Sequence, residues 1–322
     1  MNKENNKLSF LYCFDKNYNM QAFTSIISLL DNVTEEIEIY IIHKDQNDLV
    51  DIPFKILNHE KLINIIIYTF KDLGHNFPKL QNAHVSEATY YRLFIQNYLP
   101  NNIKNIIYLD ADTVIINDPI KSFREHLKKM SKSNILFSAR TELDKSNLKN
   151  YNNEPEMHQI YPFERLGIEG LYFNAGVLLI NYSLWIELDV GQKLVNKMYE
   201  LKNNIIAWDQ DVLNAYSNGN YLNLTNELNT FDTEISHLND NTKILHYLGS
   251  KKPWTTSGIF KYNSEFYHHN FRKNYKEFYH ITHKWKLQSL KDLIINLSNF
   301  KILKLKHPYR FLLEFIKSVL KA

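Results

Sequence analysis

The chain has 322 residues, of which 44% are hydrophobic and 23% are charged, and its formal net charge at pH 7 is +3. This length and apolar content fit one large α/β domain or two small ones, and the near-neutral balance excludes a nucleic-acid binder that uses its whole surface. Its single cysteine, Cys13, excludes an internal disulfide framework and fits a reducing compartment.

The amino-terminal stretch MNKENNKLSF is polar and lacks the apolar run of a signal peptide. No window approaches the roughly 20 apolar residues of a membrane-spanning helix. We therefore expect a cytoplasmic protein that at most contacts the inner face of the cytoplasmic membrane.

The first third of the chain alternates apolar runs with helical patterns. The runs predict strands of a sheet covered on both faces; they are KLSFLYCF (7–14), IEIYIIHK (37–44), INIIIYTF (63–70) and NIIYLD (105–110). The intervening segments have apolar residues at helical spacing; they are 20–33, 47–62 with Pro53 as an interruption, and 86–100 with Ser86 as N-cap and Pro100 as its stop. This alternation predicts an α/β fold with a mostly parallel central sheet.

The later part of the chain is less regular. We predict strands at 173–181 and 243–249 and a short helix at 208–218, and helices from 264–285 onward. No repeat and no Gly/Ser- or Pro-rich linker interrupts the chain. We therefore expect one catalytic domain, residues 1–265, followed by a helical carboxyl-terminal extension, residues 266–322.

Asp110 and Asp112 follow an apolar strand directly, in the sequence YLDADTVI. Ligands of open α/β sheets bind outside the carboxyl ends of the strands, and two carboxylates on one turn there can share a divalent cation. Oxygen ligands suit Mg²⁺ or Mn²⁺, which substrate phosphates commonly complete. This placement predicts a metal that holds a diphosphate.

Two other interpretations of the acidic pair stay open at this point. The acids could merely cap a turn or begin the helix at DPIKSFREHL, since a bare Asp-x-Asp is common. The pattern is also similar to the nucleophile loop of haloacid dehalogenase-type phosphatases, in which Asp110 would attack a phosphoryl group and Asp112 would act as acid and base. That loop usually lies near the start of its domain, whereas here three predicted strands precede it.

Five segments in order resemble glycosyltransferase family 8, whose members are retaining, nucleotide-sugar-dependent enzymes and include bacterial lipopolysaccharide galactosyl- and glucosyltransferases. They span about residues 8–254 and are FDKNY, HVSEATYYRL, YLDADTVI, YFNAGVLLIN with WDQDVLN, and ILHYLGSKKPW. The resemblance implies a single GT-A (Rossmann-like) domain that transfers galactose or glucose from a UDP-sugar to a cell-surface glycan acceptor such as lipopolysaccharide. It does not specify the sugar, the acceptor or the linkage.

The resemblance assigns the metal and diphosphate site to two segments. Asp110 and Asp112 would bind Mn²⁺ (or Mg²⁺) together with His246, whose neutral imidazole suits such a shell. Gly249 would let the backbone approach a phosphate, and Lys252 would supply a point charge for it. The alternative is a histidine at the edge of the core, followed by a solvated loop.

The uridine and the outer part of the donor are assigned to residues nearer the amino terminus. Asp15 and Asn17 would contact the uracil edge and Tyr18 its face, although FDKNY could equally be a polar turn. Arg92 would point toward the donor sugar and the acidic pair rather than toward solvent. His84 would border the acceptor, with a surface histidine as the equal alternative. Ala111, between the two acids, is also assigned to the donor.

The transferred sugar is assigned to two further motifs. In FNAGVLLIN, small residues at the start of the strand would let a sugar approach the backbone; these positions are Asn174, Ala175 and Gly176. In WDQD, Asp209 would bind sugar hydroxyls and Gln210 would lie near the anomeric carbon, opposite the leaving UDP. Asp211 would cap or orient the following helix, yet lies near enough to take part in catalysis.

The mechanism and one position remain undecided at this level. An amide such as Gln210 is a poor nucleophile, so either the acceptor attacks from the front face or Asp211 moves in. Many relatives have an aspartate that meets sugar hydroxyls soon after the strand that follows the metal motif. Here Arg140, Thr141 or Glu142 occupies that place, depending on the gap.

The carboxyl-terminal residues 301–322 have six basic residues against Glu314, a net charge of +5. Apolar residues of RFLLEFIKSVLKA lie on one helical face, a pattern typical of a helix in the plane of an anionic membrane; they are Phe311, Leu312, Phe315, Ile316, Val319 and Leu320. A final helix packed on its own domain has the same pattern. Beside the transferase and the phosphatase, a third functional hypothesis is a membrane-associated protein that binds a nucleotide sugar without turnover.

Overall fold

A computed structural model describes residues 7–45, 47, 52–71, 74–75, 77–78, 86–148, 157–234 and 238–321, without the side chains of 157–161 and 321. Its strands are β1 Leu8–Phe14, β2 Ile37–His43, β3 Leu62–Thr69, β4 Asn105–Leu109, β5 Thr113–Ile115, β6 Phe137–Asp144, β7 Leu171–Asn181, β8 Leu222–Asn223, β9 Thr230–Phe231 and β10 Ile244–His246.

The α-helices are α1 Asn19–Asn32, α2 Phe54–Leu57, α3 Ile120–Ser133, α4 Lys145–Leu148, α5 Met157–Leu166, α6 Tyr182–Glu187, α7 Val190–Leu201, α8 Trp208–Ser217, α9 Ser264–Asn274, α10 Lys286–Ser298 and α11 Pro308–Lys321. Segments of 3₁₀ helix are Lys16–Tyr18, Glu87–Asn97, Lys202–Asn204, Asn226–Leu228 and Lys301–Lys304.

Seven strands form the central sheet in the order β3-β2-β1-β4-β7-β6-β8. The strands from β3 to β4 are parallel, β7 is antiparallel to both β4 and β6, and β8 is parallel to β6. The predicted α/β fold with a mostly parallel sheet is thus confirmed. A second sheet has the order β5-β10-β9, with β10 antiparallel to β5.

Both faces of the central sheet are covered, as the near-continuous apolar runs predicted. All seven residues of β1 are buried. On one face α1 and α3 pack against the sheet, where the Phe10 and Phe123 rings meet edge to face at 6.1 Å. The 3₁₀ helix Glu87–Asn97 and helices α7 and α8 cover the other face. Because helices cover both faces, a ligand can reach the sheet at the ends of its strands.

Two predicted helices differ from the structure. Of the helix predicted over 47–62, the described residues contain α2, which is followed by a turn at 58–61; residues 48–51 lie outside the described part. The helix predicted over 264–285 ends at Asn274, and no helix forms from there to Trp285. The reason lies 36 residues away, because the carboxylate of Glu314 accepts the backbone N–H groups of Phe278 and Tyr279 at 2.8 Å each.

The carboxyl-terminal helices pack on the rest of the protein. Helix α9, which contains residue 265, lies against α1, where the Asn274 amide donates to Phe23 O at 2.8 Å. On α11, Phe311 and Phe315 are buried in a cluster with Phe260 and Tyr279. Ile316 and Leu320 of the predicted apolar face are exposed. Within the described residues, none of the helices has the length and apolarity needed to cross a bilayer.

Candidate active site

The acidic pair lies where β4 ends, on the turn that leads into β5. Asp110 N donates to Gly176 O at 2.8 Å, which ties this turn to β7. Tyr247 N donates to Asp112 O at 3.1 Å, and β10 pairs with β5 so that His246 lies opposite Thr113. The antiparallel β5–β10 pair therefore brings the histidine to the two aspartates.

Asp110, Asp112 and His246 could together hold a divalent cation. One ligand atom from each lies within 4.8 Å of the others. Asp112 Oδ1 is 3.2 Å from His246 Nε2, yet this buried oxygen accepts no well-aligned hydrogen bond from the described residues. Two carboxylates and one imidazole form a donor set that suits Mn²⁺. The residues present therefore fit a metal site.

Lys252 is in direct contact with this site. Its Nζ donates to Asp112 Oδ2 at 2.6 Å and also to Tyr247 O. Burial would raise the pKa of Asp112, but Lys252 and His246 outweigh burial and hold the pKa of that carboxyl well below its ordinary value. Gly249, in the same loop, is exposed and has a φ of +68°, a conformation that favours glycine.

Arg92 lies between the acidic pair and Asp209 and contacts both. Its Nε and Nη2 donate to the Asp209 carboxylate, and its Nη1 lies 3.6 Å from Asp110 Oδ1. The guanidinium also lies 4.3 Å from the centroid of the Tyr108 ring, whose hydroxyl donates to Asp110 Oδ1 at 2.6 Å. Burial alone would lower the pKa of Arg92, but Asp209 and Asp110 hold it above its ordinary value.

The Gln210 carboxamide has one defined orientation. Its Oε1 accepts from Ala175 N at 3.0 Å, and its Nε2 donates to Glu142 Oε2 at 3.2 Å and to the Tyr172 hydroxyl at 3.1 Å. Because a backbone N–H can only donate and an ionised carboxylate can only accept, the two ends of the amide cannot be exchanged. Asn174 also donates to Glu142, at 3.3 Å.

Glu142 is the residue of the 140–142 segment that reaches the predicted sugar site. Arg140 points elsewhere, to the Glu234 carboxylate at 2.7 Å, and Thr141 Oγ1 bonds Tyr221. Although part of Glu142 is exposed, its carboxyl faces the cleft, where desolvation raises its pKa and the hydrogen bonds from Asn174 and Gln210 oppose part of that rise. The β6–β7 register is irregular between Ala139 and Arg140 and again between Thr141 and Leu143, so Glu142 has no direct partner on β7.

Asp211 is fully engaged at the start of α8. Its carboxylate accepts five hydrogen bonds, two from Arg165, one from the Tyr172 hydroxyl, and one each from the backbone N–H groups of Ile206 and Ala207. Its side chain is inaccessible to solvent. This arrangement orients the helix on which Asp209 and Gln210 lie.

The predicted uridine residues lie at one side of the cleft. Asp15 Oδ1 accepts from Asn17 N at 2.9 Å, which caps the 3₁₀ turn, and Asn17 is exposed. Tyr18 packs edge to face on Trp254 at 6.2 Å. A cavity of about 110 Å³ is lined by Tyr18, Ala111, both acids of the pair, Lys252 and residues of β1 and the 3₁₀ helix. His84 lies outside the described residues.

A family model described as "Glycosyl transferase family 8" matches residues 9–258. The chain belongs to this family. Its activity is therefore that of a glycosyltransferase, and the interpretation of Asp110 as the nucleophile of a phosphatase is wrong. The two acids of the pair form a cluster with His246, in which one ligand atom of each residue lies within 4.8 Å of the others.

Curated relatives of this family 8 transferase cover most of its length. General stress protein A of Bacillus subtilis is 23% identical over 80% of this chain and 91% of its own. Lipopolysaccharide 1,3-galactosyltransferase of Salmonella typhimurium is 26% identical over 81% of this chain and 77% of its own. The galactosyltransferase LgtC, solved with donor and acceptor sugar analogs, superposes with a TM-score of 0.66 at 19% identity over 83% of this chain and 96% of its own, a similarity of fold.

Several polar residues of the transferase site carry no sequence signal. Asn229 bonds both His246 and Asn174, Arg165 holds Asp211, and Tyr108 bonds Asp110. None belongs to a recognisable spacing pattern, because each is placed by the pairing of segments far apart in sequence. Only the position of Tyr108, two residues before the first acid, would have drawn attention to it.

Proposed function

We propose that this transferase moves a hexose, galactose or glucose, from a UDP-sugar to a lipopolysaccharide-type glycan with retention of configuration, and that it requires Mn²⁺. The observation that carries this proposal is the convergence of Asp110, Asp112 and His246 within 4.8 Å, beside Lys252 and Arg92. The glycan class is inferred from relatives such as the Salmonella enzyme.

The divalent cation, when bound, supplies positive charge next to the leaving diphosphate. Lys252 adds a second positive charge on the same side of the cleft, at 2.6 Å from Asp112. Arg92 fixes both oxygens of Asp209, so their remaining lone pairs are oriented for sugar hydroxyls. Such preorganised charge usually makes the largest contribution to rate.

We propose front-face attack by the acceptor hydroxyl. Gln210 Oε1 already accepts from Ala175 N, and the Asp211 carboxylate is held by five donors, so neither is free to form a covalent intermediate. Glu142 bonds Gln210 and Asn174 and faces the same cleft, where it would meet a sugar hydroxyl.

The test uses purified protein, Mn²⁺ and a panel of nucleotide sugars, with free nucleoside diphosphate as the readout. We expect Mn²⁺-dependent UDP release from one hexose donor and its loss in Asp112→Asn. Asp118→Asn is the matched control, because Asp118 lies just before α3, where its Oδ1 accepts from Ile120 N at 3.0 Å, and an asparagine oxygen can accept the same hydrogen bond. UDP binding without donor consumption, in the presence of lipopolysaccharide acceptor, would instead support the binding-protein hypothesis.

We also propose that the carboxyl-terminal helices bind the anionic inner face of the cytoplasmic membrane. One face of α10 repeats apolar residues at helical spacing and exposes all of them, whereas Ser289 and Asn296 of the same helix are buried; these exposed residues are Leu287, Leu290, Ile294 and Leu297. Phe300, Leu303 and Leu320 are also exposed, near lysines of the 3₁₀ turn and α11. A basic, apolar surface of this kind suits anionic lipid.

This second proposal is tested by co-sedimentation with phosphatidylcholine vesicles, with and without phosphatidylglycerol. We expect binding to the anionic vesicles alone, and its loss in the Leu287→Glu/Ile294→Glu variant. Phe54→Glu is the matched control, since Phe54 is 78% exposed but lies on α2. Failure of the unaltered protein to sediment with anionic vesicles contradicts the proposal.

A further inference from the structure

Asn229 is a fully buried residue that contacts the candidate metal ligand His246. It follows the 3₁₀ helix Asn226–Leu228 and precedes β9, and its relative exposure is 0%. Its backbone oxygen accepts from Arg140 at 2.7 Å, which fixes the main chain at this point. Its side chain lies between His246 Nδ1, at 3.0 Å from Asn229 Oδ1, and Asn174 Oδ1, at 3.1 Å from Asn229 Nδ2.

The direction of these hydrogen bonds follows from one backbone group. Gly176 N can only donate, and it lies 3.0 Å from the Asn174 side-chain atom assigned as Oδ1, so that atom is the carbonyl oxygen. An oxygen facing Asn229 requires the amide nitrogen of Asn229 on that side. The carbonyl oxygen of Asn229 therefore faces His246, and it can only accept.

The other end of Asn174 agrees with this assignment. Its Nδ2 donates to Glu142 Oε2 at 3.3 Å, as an amide nitrogen must when it faces a carboxylate. The sequence of bonds from Gly176 N to His246 thus has a single polarity, and at its end His246 Nδ1 must carry the proton.

We infer that Asn229 is a positioning residue, which keeps His246 in the Nδ1-protonated tautomer so that the lone pair of Nε2 faces Asp112 and the metal position. Without this acceptor, a neutral imidazole next to a carboxylate would favour the opposite tautomer, with Nε2–H donating to Asp112 Oδ1 across the present 3.2 Å. The metal part of this inference rests on the proposed function, whereas the tautomer part does not.

The tautomer is measured on the metal-free protein by ¹⁵N NMR of labelled histidine, with the His246 signals assigned from their loss in His246→Gln. We expect the proton on Nδ1 in the unaltered protein and in Asn229→Asp, because an aspartate oxygen still accepts from Nδ1–H. The second aspartate oxygen replaces the donor to Asn174 Oδ1, so we expect this variant to lose stability while it keeps the tautomer. In Asn229→Leu we expect a population with the proton on Nε2. An Nε2–H tautomer in the unaltered protein overturns the inference.

The metal part is measured by titration with Mn²⁺, alone and with UDP. We expect Asn229→Leu to weaken Mn²⁺ binding by about 10–100-fold, the usual effect of removing a partner of a metal ligand, and Asn229→Asp to bind close to the unaltered protein. A role confined to folding would instead affect both variants in proportion to their loss of stability, so thermal unfolding is recorded for each.

Asn270→Leu is the matched control, because Asn270 is a buried asparagine whose amide donates within α9 to Phe266 O. We expect it to lose stability and to keep Mn²⁺ affinity. Mn²⁺ binding by Asn229→Leu equal to that of the unaltered protein overturns the inference. Absence of Mn²⁺ binding by the unaltered protein refutes the metal-dependent function, and the NMR tautomer alone then decides the role of Asn229.

Discussion

Replacing Gly176 with alanine should disable the proposed metal site without changing any polar group. Gly176 lies on β7 next to the His246 ring, and a Cβ built there would be 2.1 Å from Cε1 and 2.7 Å from Nδ1. Ordinary contact begins at 3.4 Å, so the imidazole would have to move by about 1.3 Å. Because ligand distances in metal sites hold to within roughly 0.2 Å, the displaced ring would no longer serve as a ligand.

We expect Gly176→Ala to weaken Mn²⁺ binding by at least the roughly 10–100-fold seen when the support of a ligand is lost, and donor turnover to fall with it. Overpacking should also lower the free energy of unfolding by about 1–3 kcal/mol. The assay is Mn²⁺ titration alongside chemical denaturation. Gly191→Ala is the control. Its Cβ would meet Gln96 Oε1 at 2.8 Å, and the nearest atoms around it belong to Gln96 and Leu93 of the 3₁₀ helix rather than to a candidate metal ligand. Unchanged Mn²⁺ affinity in Gly176→Ala would refute the reasoning.

Two further predictions concern buried charge. His268 and His280 are buried, and burial lowers the pKa of each to about 3. Between pH 6.5 and 3 the unfolded chain therefore binds two more protons than the folded protein. Lowering the pH from 7.5 to 5.0 should for this reason reduce the free energy of unfolding by about 4 kcal/mol. Chemical denaturation at both pH values should show about half of that dependence in His280→Gln, and an unchanged dependence would contradict the assignment. Asp211→Asn should cost about 3–5 kcal/mol by removing the carboxylate that pairs with the buried side chain of Arg165, as read from the denaturation midpoint; a variant as stable as the unaltered protein would contradict this expectation.

The parts of the fold that the sequence predicted are those with a local cause. Continuous apolar runs such as β1 and β2 predict strands covered on both faces, and the carboxyl end of β4 predicts a ligand site at Asp110. The error over 275–285 has a non-local cause, because the N–H groups that a helix would use internally are accepted by Glu314. A stretch of sequence long enough to define one helix here does not include the acceptor, Glu314, which lies 36 residues away.

The same distinction applies to the site. The five family segments named the candidate metal ligands, Arg92 and Gln210, but their local patterns hold no information about what orients these side chains. Asn229 reaches His246 across 17 positions and Asn174 across 55. Glu142 was one of three alternatives until the register of β6 against β7 determined which side chain faces Gln210. Hydrogen-bond networks of this kind require coordinates, since asparagine and glutamate occur in many other contexts.

The charges gathered at the site give a physical reason for expecting a cation. Three carboxylates, those of Asp110, Asp112 and Asp209, face two positive groups, Arg92 and Lys252. These five groups, counted without Glu142, carry a net charge of −1 when His246 is neutral, and none of their side chains is more than 27% exposed, so uncompensated charge is costly. A divalent cation would convert this to +1, which suits an anionic diphosphate and does not suit a neutral sugar alone. We therefore expect metal and UDP to bind cooperatively: Mn²⁺ affinity should rise when UDP is present, and a titration of Mn²⁺ with and without UDP measures that coupling directly.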